Sequence, residues 1–308
     1  MVPSIVFIVP YRDREQQLFF FRNYMKYVME DYKKDEYEIY FSHQTDKREF
    51  NRGATKNIGF LAVKEKYPDD YKDITFVFND IDTIPHKKGL LKYNTNIGVV
   101  KHFYGFVQAL GGIFSIKGRD FEKLNGFPNY WGWGFEDNAM NARVLKNNMM
   151  TINRDNFYKI GDNNIIQLFD SVTRSIVLKN KQKFTNDKPG DGITAIKDLT
   201  YEMEGDMINI KTFTSSDEYV PTDVVTYDFF NEERKSMFNF RQGIKSSDIA
   251  TSTQVQQNQV PKQQPVNKPP IMNGGRVSVG VANKSMNMGM GMNKNQRRGR
   301  QGKGFKMF

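Results

Sequence analysis

The sequence predicts an α/β chain, a mixed and mostly parallel sheet flanked by helices, and three observations predict it. Short runs of β-branched and aromatic residues at 5–9, 37–42 and 74–78 alternate with two longer segments of helical character. Strand, helix, strand, helix, strand is the order of a parallel sheet covered by helices. A chain of 308 residues that is 38% hydrophobic is also large enough to bury a sizeable core.

The first run, Ile5-Val6-Phe7-Ile8-Val9, is stopped by Pro10 and leads into Tyr11-Arg12-Asp13-Arg14, a polar turn with two arginines. A helix is predicted over 13–32, with Asp13 as its cap and Gln16 three positions on. A strand follows at 37–42. Asn51 suits the cap of a helix over 52–66, and Pro68-Asp69-Asp70 turns the chain into the strand at 74–78. Further strands are expected at 96–101 and 111–116, the latter starting with Gly111-Gly112, whose missing side chains allow close backbone approach. A helical turn is expected at 121–124, and a helix at 137–147 with Ala139, Met140, Val144 and Leu145 as its apolar positions. Beyond these lie an edge strand or loop up to Asp170, a helix near 172–179, a polar loop at 185–192, and two or three antiparallel strands within 199–227.

Charge divides the chain. From Arg241 onward there are twelve Lys or Arg and one acid, Asp248, so the tail carries +11 and the first 240 residues carry −1 of the net +10. The basic balance therefore belongs to the tail and argues nothing for nucleic-acid binding by the folded part. Composition shifts near Ser246 to Gln, Asn, Pro, Gly, Lys and Met, which gives a folded domain over 1–245 and a disordered, basic, low-complexity tail over 246–308. The absence of cysteine excludes disulfides and thiolate metal sites. The apolar run at 5–9 is too short for a membrane span and has no basic flank, so neither signal peptide nor anchor is expected.

Two stretches carry chemistry. Asp80 and Asp82 end the strand at 74–78, where open α/β sheets place ligands; the pair suits a solvated turn or a clamp for a hard divalent cation and a phosphate. Residues 125–137, Asn-Gly-Phe-Pro-Asn-Tyr-Trp-Gly-Trp-Gly-Phe-Glu-Asp, hold both tryptophans of the chain among glycines and a proline, a loop with large flat surfaces. Glu136 and Asp137 then stand at a helix N-terminus, which they would favour on electrostatic grounds alone.

Taken in order, Pro10-Tyr11-Arg12-Asp13-Arg14, Phe50-Asn51-Arg52, Phe78-Asn79-Asp80-Ile81-Asp82, Gly111-Gly112 and the 126–137 string resemble the β1,4-galactosyltransferase family, closely over about residues 5–155. The resemblance implies the nucleotide-sugar-binding GT-A fold and inverting, Mn²⁺-dependent (or Mg²⁺-dependent) transfer of galactose or N-acetylgalactosamine from a UDP-sugar to a glycan or glycoconjugate hydroxyl. By motif, Pro10, Tyr11, Arg12 and Arg14 line the UDP pocket, Phe50 stacks on uracil, Arg52, Asp80 and Ile81 contact the donor, and Asp82 binds the metal. Asp137, with Glu136 beside it, is implied as the general base; Trp133 is a platform and lid, and Trp133, Asp137 and Asn138 face the acceptor. Each residue also has an ordinary reading: solvated arginines, a core phenylalanine, packed tryptophans.

Three departures from the family pattern bear on activity. A methionine and a histidine usually complete the metal site, and approximate spacing puts Asn164 and Gln167 there, amides with weaker affinity for Mn²⁺. Asn138 replaces a carboxylate of the acceptor site. Ala109 stands where a tyrosine often crowds the donor's C2 substituent, which leaves room for an N-acetyl group. Animal members are Golgi proteins with an anchor and disulfides; this chain, with neither, is expected in the cytoplasm, and its Asn-, Lys- and Ile-rich composition suggests a viral or microbial source. The competing reading is a degenerate, non-catalytic binding or structural protein, with a tail that holds nucleic acid or other acidic partners by charge.

Overall fold

In the computed structural model, residues 1–168, 180–188 and 190–220 are described in full, and residues 173–176 and 225–228 by their backbone. They belong to one compact unit, Met1–Gln256. The tail over 246–308 lies outside the described residues.

The strands are β1 (Ile5–Tyr11), β2 (Tyr37–Gln44), β3 (Thr75–Asn79), β4 (Thr83–Pro85), β5 (Val99–Gly105), β6 (Ile113–Lys117), β7 (Thr151–Asn153), β8 (Tyr158–Lys159), β9 (Ile165–Gln167), β10 (Thr173–Ile176), β11 (Lys197–Glu204), β12 (Met207–Thr214) and β13 (Val225–Asp228). The helices are α1 (Glu15–Val28), α2 (Arg52–Lys66), α3 (Gly118–Lys123), α4 (Glu136–Lys146) and α5 (Asn180–Thr185). The main sheet has the order β11-β12-β2-β1-β3-β6-β5-β7, with β8 also against β5. Its centre, β12, β2, β1 and β3, is parallel, whereas β6 runs antiparallel to both β3 and β5. The expected mixed, mostly parallel sheet is therefore present.

The period of two along β1 assigns its residues to two cores. Val6 and Ile8 join α2, Phe76, Phe78, Phe114 and Phe127 on one face, while Ile5, Phe7 and Val9 join Phe21 and Met25 of α1, Val77 and Phe103 on the other. Both faces are thus covered, as a parallel sheet requires. Because β1, β2 and β3 are parallel, residues 10–14, 45–51 and 80–82 leave the sheet at one edge, the place where open α/β sheets bind ligands.

Three expectations need correction. Helix α1 starts at Glu15, and Arg14 precedes it without a side-chain cap; Asp13 instead takes a left-handed backbone (φ 49°) in the turn. The segment expected as a helix over 172–179 contains β10, which pairs antiparallel with β13; its Val and Ile spacing fitted either period, and the partner strand decided it. The antiparallel strands expected over 199–227 are present, β11 and β12 forming an antiparallel hairpin, and β12 also adds parallel to β2. Leu145, expected on the apolar face of α4, is exposed, while Ala139, Met140 and Val144 are buried.

Candidate active site

Helix α2 is the platform of the site. Asn51 caps it, its Oδ1 accepting from the Ala54 backbone N–H at 2.9 Å, while the Asn51 amide donates to the Asn129 carbonyl at 2.9 Å. Further along α2, Asn57 donates to the Phe127 carbonyl and accepts from the Phe127 N–H. A Cβ on Gly53 would stand 1.9 Å from the Pro128 carbonyl oxygen, so glycine is what lets the 125–135 loop lie directly on the helix. The far side of this loop is held by Arg143 and Asp191. Arg143 pairs with Asp187 and donates to the Gly126 and Asp191 carbonyls, and Asp191 accepts from the Asn129 side chain.

Arg52 and Lys56 are one helical turn apart on α2 and face the first turn of α4. The Arg52 guanidinium donates to Asp80 through Nη2 and to Glu136 through Nη1, each at 2.7 Å, and lies 3.7 Å from Asp137. Lys56 Nζ, buried with 1% of its side chain exposed, donates to Asp137 Oδ1 at 2.7 Å. Gly111 closes the other side: a Cβ there would be 2.4 Å from Asp137 Oδ2. The backbone fixes this arrangement, since the Leu110 N–H donates to the Asp137 carbonyl and the Asp80 N–H to the Gly112 carbonyl. Asp80, Gly111-Gly112 and Asp137 therefore form one continuous wall.

Burial raises the Asp137 carboxyl to about 6, with Glu136 and Asp80 adding to the rise and Lys56 and Arg52 opposing it. Burial also works against the charge of Arg52, but Asp80, Glu136 and Asp137 outweigh it and keep the guanidinium charged. Behind Gly111, the buried His102 is pushed down to about 4 by burial and by Arg154, whose Nε donates to His102 Nδ1. The neutral imidazole faces the Gly111 carbonyl at 3.2 Å through Nε2.

On the open side of Arg52 lies a polar pocket walled by Pro10, Arg12, Asp13, Arg14, Lys47, Arg48, Glu49, Phe50, Arg52, Asp80, Ile81, Asp82, Gly132 and Trp133. Arg12 donates to the Arg48 carbonyl and to the Asp46 carbonyl, so it also props the 46–50 loop. The Arg14 charge is disfavoured by burial and supported by Asp82 and Asp13. Arg48 lies over the rings of Trp131 and Phe213, and the Gly132 N–H donates to the Phe50 carbonyl, which joins the pocket to the aromatic loop.

Of the residues singled out from sequence, Pro10, Arg12, Arg14, Phe50, Arg52, Asp80, Ile81, Asp82 and Trp133 line this pocket. Glu136 and Asp137 stand across Arg52 from it. Tyr11 is buried edge-on against His43, Ala109 is buried in the turn before Gly111, and Asn138 donates to the Gln108 carbonyl. Asn164 and Gln167 lie just before and on β9, which pairs with β4 next to Asp82. The Gln167 amide oxygen accepts from the Tyr104 hydroxyl and the Gly161 N–H, and the Asn164 amide donates to Asp162. The register of β9 on β4 sets Gln167 opposite Thr83, and the Leu168 N–H donates to the Asp82 carbonyl. Among the described residues no group of three or more His, Cys, Asp or Glu is placed to hold a metal. Asp82, a hard oxygen donor on the pocket wall, suits a divalent ion that takes its other ligands from a diphosphate. Lys56, Lys47, Arg48 and Glu49 were not anticipated. Only Lys56 had a signal, its i+4 spacing from Arg52.

Residues 2–93 match the family model for the N-terminal region of glycosyl transferase group 7, and residues 94–167 match the model for the N-terminal domain of galactosyltransferase. The chain is 34% identical over 162 residues to β-1,4-galactosyltransferase 1 of Mus musculus, covering 50% of this chain and 39% of that one. It is 32% identical over 153 residues to β-1,4-galactosyltransferase 4 of Homo sapiens, covering 46% and 42%. The matched segment thus spans about two-fifths of these relatives' length, and as animal proteins they lend no support to a viral or microbial source. The fold is shared with the catalytic domain of Drosophila β1,4-galactosyltransferase 7 in complex with xylobiose (TM-score 0.54, 20% identity, 70% of this chain and 96% of that one). It is shared equally with a variant of that enzyme in complex with manganese, UDP-Gal and xylobiose (TM-score 0.55, 19% identity, the same coverage). Among the described residues, no helix is long and apolar enough to cross a membrane.

Proposed function

The chain belongs to the β1,4-galactosyltransferase family of glycosyl transferase group 7, and from that premise we propose that it is a metal-dependent, inverting hexosyltransferase with Asp137 as general base. The observation that carries the reading is the Arg52 guanidinium, which links Asp80 on the pocket wall to Glu136 at the first turn of α4. One rigid group thereby sets the distance between a nucleotide-sugar pocket and a carboxylate suited to take a proton.

In this reading the diphosphate of a UDP-sugar lies against Arg14, Arg12 and Asp82, with uracil near Phe50, and the sugar reaches toward the wall formed by Asp80, Gly111 and Asp137. When bound beside Asp82, a divalent metal ion would offset charge on the departing diphosphate. The acceptor hydroxyl oxygen attacks the anomeric carbon as the bond from that carbon to the diphosphate oxygen breaks. Its proton passes to Asp137, and UDP leaves with the bonding electrons. Displacement from the opposite face inverts the anomeric configuration. Asp137, raised toward neutrality and half-buried, is basic enough to accept that proton while remaining ionised at pH 7.

UDP-galactose is the proposed donor, as in the manganese and UDP-Gal complex of the fly relative. The small side chain of Ala109, in the turn that precedes Gly111, supports UDP-N-acetylgalactosamine as a second donor. Release of UDP from both donors, with Mn²⁺, Mg²⁺ or EDTA, tests this. Metal-dependent turnover abolished by Asp82→Ala supports the transferase, and a rate with UDP-galactose far above that with UDP-N-acetylgalactosamine removes the second donor.

One observation favours a second reading. The engaged amide of Gln167 and the single carboxylate Asp82 leave the protein's own metal ligation thin, as in a degenerate, non-catalytic transferase-like protein that has lost its donor site. Failure to bind any UDP-sugar, with or without metal, would favour that protein.

A further inference from the structure

Lys56 is a cation the transfer chemistry does not obviously need. With 1% of its side chain exposed, it has given up almost all hydration, and a buried ammonium is tolerated only against a compensating partner. Its partner is Asp137 Oδ1 at 2.7 Å, and its remaining surface lies over the Phe127 ring, 4.5 Å from the centroid. Packing alone would be met by an apolar side chain beside Phe127. The charge calls for another explanation.

That explanation lies in the local balance. Asp137 is faced by Arg52 and Lys56 from α2, by Asp80 from the turn after β3, and by its neighbour Glu136 within α4. Two cations meet three carboxylates. Arg52 already gives its two hydrogen bonds to Asp80 and Glu136, so Lys56 is the cation that donates directly to Asp137. The geometry also divides the two oxygens. Oδ1 is held by Lys56 at 2.7 Å, while Oδ2 lies against Gly111, 3.7 Å from Arg52 Nη1 and beyond hydrogen-bond reach of it.

We propose that Lys56 is a positioning residue for the general base: it holds Asp137 by Oδ1, keeps the carboxylate ionised at neutral pH, and leaves Oδ2 to receive the acceptor proton. The proposal rests on the reading of Asp137 as the base. Removing the ammonium would leave one cation among three carboxylates in a poorly solvated site, and the charge is then relieved by protonating Asp137. The enzyme would lose activity at neutral pH and regain it in alkali.

The test is the pH dependence, between pH 5 and 9, of kcat/KM for the sugar acceptor at saturating UDP-galactose and metal, in the full chain and in Lys56→Met, Lys56→Gln and Lys56→Arg. The two neutral variants are expected to move the acidic limb upward by about one pH unit, which is about tenfold lower kcat/KM on that limb, and to approach the parent rate near pH 9. Lys56→Arg is expected to keep the limb in place. A loss of equal size at every pH, or an unmoved limb in either folded neutral variant, overturns the proposal and leaves Lys56 a structural residue. Asp137→Asn separates the two levels. If that variant keeps full turnover, the base assignment itself fails; if it is inactive while the Lys56 limb is unmoved, only the role of Lys56 fails.

Discussion

The two sides of Arg52 are built differently. On the α4 side both carboxylates are held, Glu136 by Arg52 and the Gly134 N–H and Asp137 by Lys56, and the backbone is tied by the Leu110 N–H to the Asp137 carbonyl and by the Asp80 N–H to the Gly112 carbonyl. On the pocket side the arginines are tied to loop carbonyls, and Asp82 lines the pocket wall. On the reading of Asp137 as the base, the base is set before substrate arrives, whereas the metal and phosphate side is completed by the ligand. Such a division suits an ordered reaction, in which the donor, with its diphosphate, must bind before the acceptor has a productive place.

Changes that breach the division should cost most. Arg52→Ala strips both sides at once and leaves three carboxylates with one cation, so it is expected to abolish turnover and to lower stability by about 3 to 5 kcal/mol, the usual cost of breaking a buried pair; urea denaturation and UDP release check the two effects. A loss confined to activity would show that the pair is not structural. Next comes Gly111→Ala, whose added carbon would stand 2.4 Å from Asp137 Oδ2. It should cut kcat by about a hundredfold or more, as misplacing a reacting group by about 1 Å does, with the donor Kd unchanged by calorimetry. Weakened donor binding would mean that the two sides are not separable.

Asp82→Ala probes the open side. Mn²⁺ should tighten UDP-galactose binding by the parent at least about tenfold and should make no difference to the variant; an equal metal effect in both would place the ion elsewhere. The smallest effect is that of pH. Asp137 must be ionised to accept a proton, and its carboxyl is pushed up to about 6, so activity is full above that value and falls as pH drops through it. A profile flat to pH 4.5 would contradict the burial of the base.

The same contrast explains what was legible in the sequence. The strands at 5–9, 37–42 and 74–78 and the Asn51-capped helix could be read because alternation and capping are local signals. So could Asp80, Asp82, Glu136 and Asp137, which lie within contiguous motifs. Lys56 is signalled only by its i+4 spacing from Arg52, because a lysine on a helix surface ordinarily lies in solvent, and its burial depends on the 125–135 loop folding over α2. Spacing along the chain alone points to Asn164 and Gln167, whereas the pairing of β9 with β4 is what sets Gln167 opposite Thr83, next to Asp82. Register between distant strands is not written in either strand alone. Leu145 had the right period and the wrong face, since α4 turns its Val144 side to the core.

Binding and turnover measured together in Asp137→Asn test the central claim most directly. The substitution keeps the shape of the side chain and removes its basicity. With Mn²⁺ present, UDP-galactose should bind the variant as tightly as the parent, while transfer to a sugar acceptor falls by about a factor of 10² to 10⁴, the range typical of a lost general base. Undiminished transfer by the variant would contradict the account and assign the proton to another group.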